Sequence, residues 1–167
     1  MASARGGRVA VSAGAGLSTD ATDGGNGGTV ELVGGTALGG ASTDRGGSVT
    51  LQGGLASAAS GGDVTISSGI GRSSSSGRIY ITTSNAGVEG TSGRLDLRTG
   101  AASRGASGPV TVTSGNAISG SGGDIQIVVG LGDSGAGGSV SLTAGGSSAP
   151  AAVGGAVVLQ TGHGHAA

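Results

Sequence analysis

Apolar and polar positions alternate in short runs that recur ten times along the chain. Each repeat follows the pattern Gly-x-aliphatic-x-aliphatic-x-x-Gly, as in residues 123–130. The first position is Gly in all ten repeats, and the last is Gly in all but one, where Ser84 takes its place. Alternation with a period of two is typical of a strand that has one apolar face, so each repeat predicts one strand. The aliphatic pairs, expected to form the core, are Val9/Val11, Val30/Leu32, Val49/Leu51, Val64/Ile66, Ile79/Ile81, Leu95/Leu97, Val110/Val112, Ile125/Ile127, Val140/Leu142 and Val157/Leu159.

The spacing of the repeats predicts how the strands are arranged. Successive repeats are most often fifteen residues apart, and the segments that connect them are rich in Gly, Ser and Ala. A fixed short period is typical of a solenoid, in which each coil stacks on the one before. The expected fold is therefore all-β: a parallel β-solenoid (β-helix) of about ten coils with a thin, flattened core. Its expected organisation is a lead-in at 1–6, a repeat domain at 7–162 and a flexible tail at 163–167.

Three positions of each repeat have special roles. We call the first position the opening glycine, the last the closing position, and the residue before the closing position the penultimate residue. The opening glycines are Gly7, Gly28, Gly47, Gly62, Gly77, Gly93, Gly108, Gly123, Gly138 and Gly155. The penultimate residues are mostly small: Ala13, Gly34, Gly53, Ser68, Thr83, Thr99, Ser114, Val129, Ala144 and Thr161. In a solenoid, the missing side chain of the opening glycine would let the opposite wall approach closely. If the aliphatic pairs form a core, Ile127→Asp would bury an unpaired charge and unfold neighbouring coils.

Composition excludes several classes of protein. The chain of 167 residues has 42 Gly and one aromatic residue, Tyr80, which is too few for an ordinary globular core. Disorder is the alternative that such a composition raises, and the strict recurrence of the aliphatic pairs favours a repeat architecture over it. Eight Arg, no Lys and nine acidic residues give a formal net charge of -1, so neither nucleic acid nor an anionic membrane is an expected partner. No apolar run is long enough to span a membrane.

The sequence offers little catalytic or metal chemistry. Residues 120–125 resemble a calcium-binding Gly-Gly-x-Gly-x-Asp repeat, but only Asp63 and Asp124 occupy the equivalent position among the ten repeats. There is no Cys for a thiolate site and no Lys to complete a phosphate-binding loop. His163 and His165 could hold a metal weakly, although a frayed terminus is the simpler interpretation. We therefore expect no enzyme activity, no cofactor and no metal.

The outward positions, which follow each aliphatic residue, suggest a second function. Nine of the twenty are Thr or Ser, an array similar to the flat Thr faces of β-solenoid antifreeze proteins. Glu31, Tyr80, Asp96 and Arg98 interrupt the array, and the preference of Thr for exposed strands explains most of it. Ice binding is therefore the alternative function. The candidate outward binding columns contain Thr50, Thr65, Thr82, Thr111, Thr113 and Thr143.

The stretches 137–145 and 61–69 resemble the Gly/Ser/Thr-rich repeats of secreted β-solenoid surface and fibre proteins, such as filamentous haemagglutinin-type adhesins. This resemblance implies a non-catalytic structural or adhesive module, located outside the cell or at its surface. Because the first repeat begins at Gly7, no signal peptide is expected in this chain. The expected partner is a second copy stacked end to end in a filament, since neither terminal coil has a capping element. A surface polysaccharide and ice are the other candidate ligands.

Overall fold

A computed structural model describes residues 5–22, 24–162 and 164. None of these residues lies in a helix or a strand. The predicted all-β fold is therefore wrong for the described part of the chain, because it contains no sheet, no β-solenoid and no β-helix. The alternation predicted strands paired by ladder hydrogen bonds between successive repeats, and the described residues form no strand. The abundant glycine works against such ladders, since glycine loses more conformational freedom in a strand than any other residue.

The chain divides into two compact units, Met1–Thr82 and Thr83–Ala167. The boundary falls inside the fifth repeat, between the outward position Thr82 and the penultimate residue Thr83. The sequence predicted one repeat domain over 7–162, with a lead-in and a tail. Most of that lead-in and nearly all of that tail lie outside the described residues, including His163 and His165.

The aliphatic pairs do not form the expected core, because no opposite wall covers them. Every one of the twenty side chains is exposed, and no described residue is buried. The residues that were expected to be buried and are exposed are Val9, Val11, Val30, Leu32, Val49, Leu51, Val64, Ile66, Ile79, Ile81, Leu95, Leu97, Val110, Val112, Ile125, Ile127, Val140, Leu142, Val157 and Leu159.

The total accessible surface agrees with the exposure of these side chains. It is 16651 Å² for a chain of 15.0 kDa. A compact monomer of that mass exposes only about 7,000 Å², and its unfolded chain about 22,000 Å². The chain by itself therefore removes little apolar surface from water, and hydrophobic burial contributes little to holding its conformation.

The repeat pattern is nevertheless visible in the path of the backbone. All ten eight-residue repeats are free of bends, whereas each of the nine connecting segments contains one. The bends lie at 21–22, 41–43, 57–59, 72–74, 88–89, 103–105, 118–120, 133–136 and 149–151. The period predicted from the sequence is therefore retained as an alternation of unbent repeats and bent connections.

Four consecutive connections of the second unit contain a residue with positive φ. Two of these residues are glycines, Gly105 (φ 104°) and Gly135 (φ 78°), which adopt this conformation without steric cost. The other two are Ser119 and Ala151, each with φ 59°. A Cβ in the left-handed region costs roughly 1–2 kcal/mol. The bends at 118–120 and 149–151 are therefore less favourable than the two that contain a glycine at this position.

Aspartate side chains support the two longest connections in the first unit. The Asp20 carboxylate accepts hydrogen bonds from the backbone N–H of Thr22 (2.8 Å) and from its Oγ1 hydroxyl (2.7 Å). Asp44 accepts from the N–H of Ala41 at 3.2 Å and donates its own N–H to the Ala41 carbonyl at 3.0 Å. Such local side-chain bonds are the reason that Asp is favoured in turns.

The exposure of Ile127 reverses the outcome expected for Ile127→Asp. Its side chain is 72% exposed, so the new carboxylate stays hydrated and the change costs no more than about 0.5 kcal/mol, as at other surface positions. The far-UV circular dichroism of the variant at low concentration should match that of the parent, with no strand signal in either. A loss of ordered structure in the variant would show instead that Ile127 is buried in solution.

Candidate functional site

No concave site forms within the described residues. They enclose no pocket, and no three of their His, Cys, Asp or Glu side chains lie close enough together to hold a metal ion. Nor does the described part of the chain contain a helix able to cross a membrane. Two exposed features recur along the described residues.

The first repeated feature is a close approach between consecutive repeats, which we call the neck. At each neck the penultimate residue of one repeat lies against the opening glycine of the next, so the connecting segment closes into a loop. A Cβ placed on Gly28, for example, would lie 3.3 Å from the Cβ of Ala13. The nine pairs are Ala13 with Gly28, Gly34 with Gly47, Gly53 with Gly62, Ser68 with Gly77, Thr83 with Gly93, Thr99 with Gly108, Ser114 with Gly123, Val129 with Gly138, and Ala144 with Gly155.

Five of the nine necks are closed by a backbone hydrogen bond. In each, the N–H of the opening glycine donates to the carbonyl oxygen of the preceding closing glycine. The donor, acceptor and distance are Gly28 to Gly14 at 2.9 Å, Gly47 to Gly35 at 2.7 Å, Gly62 to Gly54 at 2.9 Å, Gly77 to Gly69 at 2.9 Å, and Gly155 to Gly145 at 2.8 Å. These bonds have good length, and they account for most of the backbone hydrogen bonds between described residues.

We call a neck with this hydrogen bond closed and a neck without it open. The size of the penultimate residue distinguishes most of the closed necks from the open ones. It is Gly, Ala or Ser at the five closed necks, and three of the four others have the β-branched residues Thr83, Thr99 and Val129. A methyl group of Val129 would lie only 2.7 Å from a Cβ on Gly138, so the side chain of the penultimate residue crowds this neck. The open neck at Ser114 has a small residue, and nothing in the structure explains why it differs from Ser68.

The opening glycines contact a different part of the chain from the one expected. Each of the last nine lies beside the closing end of the previous repeat, as Gly62 does beside Gly53 and Gly54. The small residues predicted to let an opposite wall approach therefore serve a local closure between neighbours in sequence.

The second repeated feature is the aliphatic pair, whose two members are unequally exposed. In repeats 2–10 the first member is 48–61% exposed and the second 60–87%, and within every pair the first is the less exposed. The first repeat reverses this order, with Val9 at 90% and Val11 at 76%. In repeats 2–10 the first member follows, by two residues, an opening glycine that belongs to a neck, whereas Gly7 of the first repeat has no such contact. The neck therefore shields the first aliphatic residue and leaves the second open.

The polar positions of a repeat share one side, as the alternation predicts. Arg94 Nη2 and Asp96 Oδ2 form an ion pair of 2.6 Å, and Arg78 Nη1 donates to Tyr80 Oη at 3.0 Å. Both contacts join residues two apart at equivalent positions of their repeats. The ion pair is solvent-exposed and contributes little to stability.

The candidate threonines are accessible, but the structure does not test what they bind. Thr50, Thr65, Thr82, Thr111, Thr113 and Thr143 are all exposed. Exposure satisfies the first requirement of a binding surface and gives no information about ice. Ice binding therefore stays an untested alternative.

Comparisons with known proteins add no relationship. The chain matches no protein-family model, and no similar protein is found among curated proteins or solved structures.

Two adjacent glycines allow a matched test of the neck. A Cβ on Gly53 would collide with the carbonyl oxygen of Gly62, whereas a Cβ on Gly54 would meet nothing within 4 Å. Necks with Ala13, Ser68 and Ala144 stay closed, but the backbone at Gly53 is placed so that Gly53→Ala should break the hydrogen bond from the Gly62 N–H. The hydrogen exchange of that amide should then speed up by about tenfold, the equivalent of 1.4 kcal/mol. Gly54→Ala is the control and should leave the exchange unchanged. Equal rates in the two variants would contradict the neck geometry.

A second test closes an open neck. Thr99→Gly removes the β-branched side chain beside Gly108 and should allow the Gly108 N–H to bond the Gly100 carbonyl. Amide exchange at Gly108 should then become as slow as at Gly62, while Thr99→Val, which keeps the branch, should leave Gly108 as fast as in the parent. No slowing in Thr99→Gly would show that side-chain size does not control closure.

Proposed function

We propose that the chain is a non-catalytic structural module, of the fibre-forming or surface-adhesive kind, whose copies associate through the second aliphatic residues of the repeats. The observation that carries the proposal is the exposure of these residues, at 60–87% in repeats 2–10. An extracellular or cell-surface location belongs to the same proposal and rests on the resemblance of the repeats to those of surface and fibre proteins.

Association depends on the sum of weak contacts over many repeats. Full burial of one Val, Leu or Ile side chain contributes about 1.5–3 kcal/mol, which is too little to hold two chains together. Once one pair of repeats has met, however, the next contact is intramolecular, so several weak contacts along two chains reinforce one another. Single exposed aliphatic residues are normal on a protein surface. Here, however, ten exposed aliphatic pairs recur along the sequence and together offer twenty apolar side chains to a partner.

A second copy is the partner with the best-matched spacing. Its aliphatic pairs recur at the same intervals, most of them fifteen residues, so alignment of one repeat brings others into reach. The formal net charge of -1 gives copies little reason to repel each other. The expected end-to-end stacking relied on parallel strand edges. Since the described residues form no strand, the proposed association rests on side chains alone.

Neighbouring residues of one repeat allow the proposal to be tested. Ile66 is 64% exposed and would be buried on association, whereas Ser67 is also exposed but outside the aliphatic pair. We expect the sedimentation-averaged mass of the parent to rise with concentration. Ile66→Asp should weaken association at least about tenfold, because it buries a charge, while Ser67→Asp adds the same charge with little effect.

Two results would contradict self-association through the aliphatic pairs. A parent chain that remains monomeric at all concentrations would rule out association itself. An equal loss of association in Ile66→Asp and Ser67→Asp would show that added charge, and not loss of an apolar contact, is responsible.

A further inference from the structure

The first connecting segment contains the only Asn-Gly pair of the chain, Asn26-Gly27. The other two asparagines, Asn85 and Asn116, both precede alanine. All three asparagines are exposed. They differ in the residue that comes next and in how the surrounding backbone is held.

We propose that Asn26 is a site of spontaneous covalent modification. The backbone nitrogen of Gly27, after losing its proton, attacks Cγ of the Asn26 carboxamide. The bond from Cγ to Nδ2 breaks, and Nδ2 leaves as ammonia with the protons it needs from solvent. The five-membered succinimide that results is opened by water at either carbonyl carbon. The products are aspartate, or isoaspartate with the chain continuing through the side-chain carbon, and no oxidant or cofactor takes part.

The hydrogen bonds around Asn26 leave both reacting groups available. The N–H of Gly25 donates to the Ser18 carbonyl at 3.1 Å, and the N–H of Gly28 donates to the Gly14 carbonyl at 2.9 Å. Between these two anchored amides, neither the Gly27 N–H nor the Asn26 carboxamide has a hydrogen-bond partner among the described residues. The nucleophile and the electrophile are therefore not held in competing bonds.

Glycine after asparagine removes the main steric barrier to ring closure. Gly27 has no Cβ, so its nitrogen can approach Cγ over a wider range of backbone angles than the nitrogen of an alanine can. Ala86 and Ala117 place a methyl group beside the corresponding nitrogens of Asn85 and Asn116. The chain therefore contains two exposed asparagines that serve as internal references.

Isoaspartate at this position would disturb the adjoining neck. The backbone of Gly16 packs against Gly25 and Asn26 so closely that a Cβ on Gly16 would overlap both. Isoaspartate inserts an extra methylene into the backbone there, next to the hydrogen bond from Gly28 to Gly14. It also adds one carboxylate, which changes the formal net charge from -1 to -2. We expect the neck between the first two repeats to open in the isoaspartate form.

Peptide mass mapping of the full chain after incubation at mildly alkaline pH tests the proposal. Asn26 should convert about tenfold faster than Asn85 and Asn116, since only its neighbour lacks a Cβ. Gly27→Ala should bring Asn26 down to the rate of the other two. Conversion of Asn26 at no more than that rate in the parent, or no slowing in Gly27→Ala, would overturn the proposal.

A second measurement separates the extra methylene from the extra charge. Asn26→Asp carries the same carboxylate on an unaltered backbone, so its Gly28 amide should exchange as slowly as in the parent. The isoaspartate product should lose that protection. Equal protection in the product and in Asn26→Asp would overturn the expected opening of the neck.

Discussion

The absence of a Cβ at Gly34, Gly47, Gly53 and Gly62 is the constraint on which the closest approaches of the backbone in the necks depend. Two backbone segments can approach to hydrogen-bonding distance at Gly47 or Gly62 only because nothing projects between them. A side chain at Gly34 or Gly53 would occupy the position of the opposing carbonyl oxygen. The repeated glycines therefore fix where the chain returns to itself, a task that hydrophobic burial performs in most proteins.

Local closure competes with the stacking of repeats for the same glycines. Closing the loop between Gly54 and Gly62 orders only the seven residues that lie between them, whereas pairing whole strands fixes the backbone of both repeats at about 1–2 kcal/mol per residue. A strand rich in glycine has few side chains with which to offset that cost. The neck therefore forms between neighbours in sequence, and the aliphatic pairs are left without a cover within the described residues.

The sequence predicted the local features of this arrangement. It did not predict which parts of the chain contact one another. The ten repeats, the position of the bends and the shared side of Arg94 and Asp96 follow from pattern alone. The opening glycines were expected to let an opposite wall approach closely, but the segment that approaches them is the closing end of the previous repeat. Alternation shows which side chains share a face, and it contains no information on what covers that face. The same limit applies to the candidate threonines, whose exposure follows from the pattern while their ligand does not.

The neck and the aliphatic pair use different residues of one repeat, so each can vary independently. The necks at the β-branched residues Thr83, Thr99 and Val129 lack the closing hydrogen bond, whereas the neck at Ala144 has it. The second aliphatic residue, such as Ile127 or Leu142, decides how much apolar surface that repeat offers to a partner. The β-branched penultimate residues Thr83, Thr99 and Val129 all belong to the second unit, and the four necks of the first unit are all closed. If copies associate through their aliphatic pairs, the hydrogen-bonded necks hold the spacing between successive pairs more firmly in the first unit than in the second.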